Sequence, residues 1–399
     1  MRYRRWTRFA RHRPPPGVLS LRYFAPGLSP ALRRHRQLLR WSLPTRPRVV
    51  AWTAVLGMRL RWTVLDVRKV SAKALAAHGN QVLDSHGIDL QQQRREIRRL
   101  AYVHGIHPQT YYLLRLYLPG PRQDMWLYVY DAEVAAFHHL RTATLGDPES
   151  ARAATALLSD KAASAVHLAE HGVTTTPTIA LLPAGSSVDS LPPTDGATYL
   201  CKPQSGSGAR GIFRYSTTDG SLVVAQLSGR AVPEDRVSDL VNQRLAQRDY
   251  LVQPLLRTHP ALEHLGAGHD EAITVRLITE VGGPYCAFIE IPTQSEDKSG
   301  YCSLAIDLES GRIEATAGPS LFVSDHALDA VIEQARGLEI PHWKELRDMA
   351  SRAHASLDSI YGIAWDFVVT NGGPVLLEGN TGWGTLVPQY IYGPLLQEG

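Results

Sequence analysis

The sequence predicts an α+β protein whose first part is mainly helical and whose second part is built of strands and glycine-rich turns. Three observations predict it. Between residues 60 and 170 apolar positions recur at helical spacing, as in "QQQRREIRRLAYVHG", where Ile97, Leu100, Ala101 and Val103 precede a stop at Gly105. From 173 onward, short apolar runs alternate with glycine. Two pairs of these runs flank hairpin turns, Gly282-Gly283 and Asn371-Gly372-Gly373.

The chain begins with an unusual charge distribution. Residues 1–50 contain 13 Arg and no acidic residue, so the rest of the chain must be near −9 to give the net +4. With "RPPPG" and "LPTRPR", residues 1–48 read as a basic, partly disordered arm. No apolar run follows the first arginines, so no signal peptide is expected. "VVAWTAVLGM" lies between Arg48 and Arg59 and is too short to span a bilayer. Two readings of this region stay open. Its arginines are solvated or paired with the acidic body, or the basic, Trp-containing segment makes peripheral contact with an anionic membrane or another polyanion. No specific nucleic-acid partner is expected.

A length of 399 residues, 44% hydrophobic and 20% charged, suits a globular protein of two or three units. Cys201, Cys286 and Cys302 are too few and too scattered for a disulfide framework or a zinc cluster, which points to a reducing, cytoplasmic setting.

Residues 49–155 form the expected helical region. "HPQTYYLLRLYL" carries an aromatic and Leu stripe that belongs to a core. His138 and His139 are adjacent on a helix and cannot share one metal ion. "SDKAASAVHLAEHGV" opens on a Ser-Asp cap and closes at Gly172. Lys161 stands in its first turn, where positive charge opposes the helix dipole, so a ligand is a natural counterpart.

In the strand region "ATYLCKP" ends at Lys202 and leads into "QSGSGARGIFRY". Strand, glycine-rich turn and strand make a lid rather than a P-loop, and the G-K-[ST] of Walker A is absent. Glycines let backbone N–H groups approach oxyanions beside a fixed lysine charge, although an ordinary glycine-rich hairpin would read the same way. "RDYLVQPLL" is a strand in which Pro254 follows Gln253. Pro lacks the N–H to continue a ladder, so a free edge or hinge suited to an adenine is expected there. His259, His264 and His269 are spaced too widely for zinc. "AITVRLITEVGGPYCAFIEI" is a hairpin whose Arg276 needs an anionic partner.

The stretch "DFVVTNGGPVLLEGN" places carboxylates on apolar strands. A three-residue loop at 371–373 pairs 370 with 374 and 366 with 378, which sets Asp366 and Glu378 on one face with Asn380 beyond them. A two-residue loop would separate them. Either a cation lies between them, Mg²⁺ or Mn²⁺ given the all-oxygen ligands, or Glu378 pairs with an Arg on a solvated edge hairpin.

Taken in order, Lys161, Lys202 with the glycine-rich lid, Gln253 to Leu255, Arg276 and the D-x11-E-x-N set resemble the ATP-grasp superfamily. "HGIHPQTYY", "VQPLLRTHPAL" and "TVRLIT" resemble its sugar-transfer-associated branch, related to α-L-glutamate ligases, over residues 85–390. The resemblance implies two α+β lobes gripping ATP, an N-lobe at 156–254 and a C-lobe at 255–399. It places Lys161 and Lys202 on the phosphates, with the backbone of Ser205, Gly206, Ser207 and Gly208 covering them. Gln253 and Leu255 meet the adenine, and Asp366, Glu378 and Asn380 bind Mg²⁺. Arg276 and Lys202 take the catalytic roles, Arg276 at the transferring phosphoryl group. One departure is "SEDKSGY" at 295–301, where the branch has Asp-Asn and a double glycine; Lys298 is the charge available there. The implied reaction is ligation of a small-molecule carboxylate to an amine through an acyl phosphate. A phosphotransferase with a hydroxyl acceptor and a non-catalytic adaptor are the alternatives.

Overall fold

Local chemistry starts the helices where the sequence places them. Asp89 caps the helix Leu90–Arg99 by accepting the N–H groups of Gln91 and Gln92, and Asp147 does the same for Pro148–Ser159, which has Pro in its first turn. Gly87 and Gly105 end their runs in the left-handed conformation, with φ of 68° and 69°. The computed structural model describes residue 20 and residues 26–42, 48–206, 211–218, 220–226, 230–266, 271–295, 298–318 and 325–396. The chain divides into two compact units, Met1–Arg141 with Gly384–Gly399, and Thr142–Trp383.

The first unit is helical. Arg48–Arg61 continues through a wider π turn, Trp62–Asp66, into Val67–His86. Its core gathers Leu32, Leu39, Ile97, Tyr111, Leu116 and Tyr130. Much of the expected arm lies outside the described residues, but Pro30–Ser42 is a helix that buries Ala31, Leu32, His35, Leu38 and Leu39. This part of the arm is therefore core. Its apolar side chains fall on one helical face and its arginines on the other. His35 is locked by Glu133 at 2.9 Å and the Trp126 carbonyl at 2.9 Å. Burial opposes its charge, but Glu133 more than offsets this and its pKa rises. The last residues close onto the same unit, through the Gln389 amide on both backbone groups of Val129. Gly384–Gly399 group with the first compact unit.

The second unit holds two antiparallel sheets. The first comprises β1 (Ala180–Leu182), β2 (Tyr199–Pro203), β3 (Phe213–Thr218), β4 (Ser221–Gln226) and β5 (Tyr250–Pro254), in the order β1-β5-β2-β3-β4. The helix Glu234–Leu245 buries Val237, Val241 and Leu245 against it. The second comprises β6 (Thr274–Glu280), β7 (Gly283–Ser295), β8 (Lys298–Ile306), β9 (Ile313–Ala317), β10 (Gly362–Thr370) and β11 (Gly373–Asn380), in the order β11-β10-β6-β7-β8-β9. One face of this sheet buries Val275, Leu277, Ile289, Leu304, Trp365 and Phe367 in the core. Alternation therefore turns Arg276, Phe288 and Asp366 to the other face. The departing segment 295–301 runs from the last residue of β7 to the first residues of β8, where Ser295 pairs with Lys298 and 296–297 lie outside the described residues.

Candidate active site

The hairpin of β10 and β11 brings Asp366 opposite Glu378, but by a route that differs from the expected one. Thr370 pairs with Gly373, so the turn has two residues, Asn371 and Gly372. A two-residue turn alone would put the carboxylates on opposite faces. A bulge beside Asp366 shifts the register: Phe367 pairs with Leu376 while Asp366 pairs with Glu378, leaving Leu377 as the extra residue. Glu378 is thereby restored to the face of Asp366. Gly379 is required by what lies behind it, since a Cβ there would stand 2.5 Å from the Trp365 ring. Trp365 cannot easily yield, because its Nε1 donates to Thr279 Oγ1 at 2.8 Å.

Arg276 sits directly beside Asp366 in the β6–β10 register. Its Nε and Nη2 donate to the two carboxylate oxygens at 2.5 and 2.9 Å, a two-pronged ionic fork. Burial works against the guanidinium charge, but Asp366, then Glu290 and Glu378, outweigh it and raise its pKa. Burial likewise pushes the Asp366 carboxyl up, opposed by Arg276. With both N–H groups aligned on both oxygens, the pair is ionic.

On its other side Arg276 meets Glu290 of β7, whose Oε1 lies 3.6 Å from Nη1. Thr274 donates to the same carboxylate at 3.4 Å. Burial pushes the Glu290 carboxyl up, and Arg276 opposes the shift. Sequence reasoning missed Glu290. The Gly282-Gly283 signal does not find it. Glu280 pairs with Gly283, a register that alone would set Ile289 opposite Thr274, and a bulge that makes Tyr285 the extra residue brings Glu290 opposite Thr274 and so onto the Arg276 face.

Two lysines approach the same place. Asp160 caps the helix Lys161–Glu170, and its carboxylate also accepts both bonds of the Gln204 amide at 2.9 Å, tying that helix to the chain after β2. Lys161 Nζ consequently reaches Glu378 at 3.3 Å and donates to the Gly206 carbonyl at 2.8 Å, at the start of the glycine-rich segment. Lys202 is buried at the end of β2. Among the described residues it has no hydrogen-bonded or ion-paired partner. Burial brings its pKa down to about 8, with Glu378 opposing the shift and Lys161 adding to it. Ser205 and Gly206 begin the glycine-rich segment after β2, while Ser207 and Gly208 lie outside the described residues.

The expected hinge is different. β5 lies inside its sheet between β1 and β2, and Pro254 pairs with Tyr199. The Leu255 N–H donates to the Thr198 carbonyl at 3.0 Å, so the ladder continues one residue past the proline. The missing N–H faces the side where β1 has already ended its pairing with β5. Gln253 is buried and its amide donates to the Thr176 carbonyl at 3.3 Å. The Leu255 donor and the Gln253 side chain are both engaged within the protein, which corrects the picture of a free edge.

Asp366, Glu378 and Asn380 fit a hard cation. Asn380 Nδ2 lies 3.3 Å from Asp366 Oδ2 and 3.3 Å from Glu378 Oε1, bridging two like charges. Turning that amide over would present a third oxygen to the same point. Among the described residues no three His, Cys, Asp or Glu side chains form a metal cage. A cation here would depend on ligand oxygens and water, the habit of Mg²⁺.

Residues 141–398 match the profile of a family described as sugar-transfer associated ATP-grasp. Among solved structures the chain is similar to the ATP-grasp ligase PsnB complexed with a minimal precursor, at 14% identity and a TM-score of 0.33, covering 58% of this chain and 54% of that one. It thus spans about half the length of PsnB. It is also similar to D-alanine–D-alanine ligase from Bacillus anthracis complexed with ATP, at 14% identity and a TM-score of 0.34, covering 60% of this chain and 64% of that one. D-alanyl-alanine synthetase A from Vibrio cholerae gives 13%, 0.35, 61% and 66% for the same quantities. No curated protein matches the chain.

Proposed function

The chain belongs to the sugar-transfer associated ATP-grasp family and has its α+β fold, and we propose that it is an ATP-dependent carboxylate–amine ligase working through an acyl phosphate. The observation that carries this reading is Arg276, held from both sides by Asp366 and Glu290 on a face that also receives Lys161 and Lys202. In this reading three cations, balanced in the free protein by Asp366, Glu290 and Glu378, stand where a phosphoryl group would transfer. All three cysteines are buried, with the thiols of Cys201 and Cys302 pushed up to about 12 by burial, which suits a reaction that needs no protein nucleophile.

In this reading an oxygen of the substrate carboxylate attacks the γ-phosphorus, the bond to the bridging oxygen breaks, and ADP leaves. The amine nitrogen then attacks the acyl carbon, loses a proton, and expels phosphate. Lys202 and Lys161 hold phosphate oxygens, Lys161 exchanging its bonds to Glu378 and Gly206 for them. Arg276 faces the charge that grows on the transferring group. Glu290 keeps the guanidinium in place when Asp366 shares its oxygens with a cation. Asp366, Glu378 and Asn380 would hold Mg²⁺, or Mn²⁺, which when bound neutralises polyphosphate charge. The test is ADP release from ATP across a panel of amino acids and small amines, with products identified by mass. ADP, phosphate and an amide support the reading. ADP with a phosphorylated acceptor would make the protein a phosphotransferase, and no turnover on any pair would favour a non-catalytic role.

A further inference from the structure

The helix Arg48–Arg61 and its π turn have two unlike faces. The inward face is fixed by polar anchors. Arg59 is buried and donates to the Ala101 carbonyl at 3.2 Å and to that of Tyr102, and Trp62 Nε1 donates to the Ala101 carbonyl at 3.1 Å. Val55 and Val67 are buried on the same side. With that face pinned, the opposite one must look outward, and it is apolar: Leu56 is 59% exposed and Leu60, Val64 and Leu65 are each 65% exposed. A row at every fourth residue drifts by about 40° per step on a regular α-helix. The wider turn at Trp62–Asp66 takes up that drift and brings Val64 and Leu65 into line with Leu56 and Leu60. Arg61, Arg68 and Lys69 are exposed beside the stripe.

Charge decides the occupant. Residues 1–65 contain 15 Arg and no acidic residue, while the remaining 334 carry a net −11. A second copy of the chain would bring the same positive field against itself. The stripe from 56 to 65 is only about 15 Å long, too little for the roughly 1,200 Å² that a stable interface buries. A nucleic acid would satisfy the arginines but gain nothing from four exposed apolar side chains. A bilayer surface with anionic headgroups satisfies both, the side chains entering the acyl boundary and the cations staying at the headgroups. Among the described residues no helix is long and apolar enough to cross a membrane, so contact through these helices is from one side.

We infer that the outward face of 56–65, together with the basic residues around it, docks this protein on an anionic membrane surface. The experiment is flotation of the full chain with vesicles of phosphatidylcholine alone or with a third phosphatidylglycerol, at low and high salt. Binding to the anionic vesicles only, weakened by salt, is expected. Replacing Leu56, Leu60 and Leu65 together by Gln keeps the charge and the helix propensity, and should weaken binding at least tenfold with ATP turnover in lipid-free buffer unchanged. Wild-type and Gln-substituted chains bound equally well would overturn the inference in favour of charge alone. So would binding to RNA of mixed sequence with none to vesicles. A dimer in solution that the Gln variant dissolves would assign the stripe to a second copy and overturn it too.

Discussion

The two sheets of the second unit treat charge in opposite ways. On the second sheet every candidate charge has a partner: Arg276 has Asp366 and Glu290, and Glu378 has Lys161. On the first, Lys202 is buried with no partner among the described residues, and its pKa falls to about 8. A buried pair is position already fixed, whereas a buried lone cation is a deficit that an arriving anion removes. Under the proposed function, the second sheet orients and the first waits for phosphate. Variants that remove one charge at a time should separate these two behaviours.

The largest effect is expected at Arg276. Arg276→Ala leaves Asp366 buried beside Glu378 without its fork, so both the fold and the chemistry suffer. Stability should drop by about 3–5 kcal/mol in urea unfolding, and turnover by about 100-fold or more, with ATP affinity changed much less. Removing Asp366 as well should restore part of the stability, because no unpaired charge remains, and none of the turnover. If Arg276→Ala alone unfolds at the wild-type midpoint, the fork is not what holds this face together. Arg276→Lys should recover little, since an ammonium cannot occupy both carboxylate oxygens in one plane.

Glu378 gives the contrasting case on the same sheet. Its side chain is 28% exposed and its partner Lys161 is anchored a second time at Gly206. Glu378→Gln should keep the fold within about 1 kcal/mol and reduce ATP turnover below about a tenth of wild type, one cation ligand being lost. Retained turnover would sink the assignment of Asp366, Glu378 and Asn380 to a cation.

The pairing of Asp366 with Glu378 was legible in the sequence, but the reason for it was not. A turn of Asn-Gly-Gly allows two or three residues, and nothing in "VVTNGGPVLLEGN" marks Leu377 as a bulge. Bulges are settled by packing, here by Trp365 against Gly379 on the far face. Lys161 and Lys202 were readable because local signals place them, a helix cap and a strand end before glycines. Glu290 was not singled out, since one carboxylate in "CAFIEI" looks like ordinary alternation until β7 is laid beside β6. Pro254 misled because its missing N–H matters only on the side where a neighbouring strand asks for it. His35 and Glu133 are 98 residues apart, beyond any local pattern.

Lys202, buried on the first sheet, predicts a pH dependence. In the free protein Lys202 has a pKa of about 8, lowered by burial. Bound phosphate oxygens favour the ammonium and must raise that value. Below pH 8 the lysine is already charged and ATP binds at full strength. Above it, binding must take up a proton, so affinity should fall by up to about tenfold per pH unit until the pKa of the complex is reached. Lys202→Ala should bind ATP weakly at every pH, and Lys202→Arg should abolish the decline. A wild-type affinity flat from pH 7 to 9.5 would show that Lys202 does not face the phosphates.

The smallest effect is expected from the basic arm, and it tests whether the contrast between the sheets is complete in itself. Every candidate catalytic or ligand-binding residue lies beyond 160, so deleting residues 1–19 should change turnover of soluble substrates by no more than about twofold. Deleting 1–48 is a different experiment. It removes Leu32, Leu38 and Leu39 from the first core and takes His35 from Glu133, which then keeps a buried carboxylate without its partner. That chain should unfold more easily for reasons unrelated to the site. The comparison to make is therefore urea unfolding and ATP turnover on both truncations side by side. A 1–19 deletion that unfolds like wild type yet loses turnover would mean that the arm supplies charge to the reaction, and that the two sheets alone do not account for the electrostatics of the site.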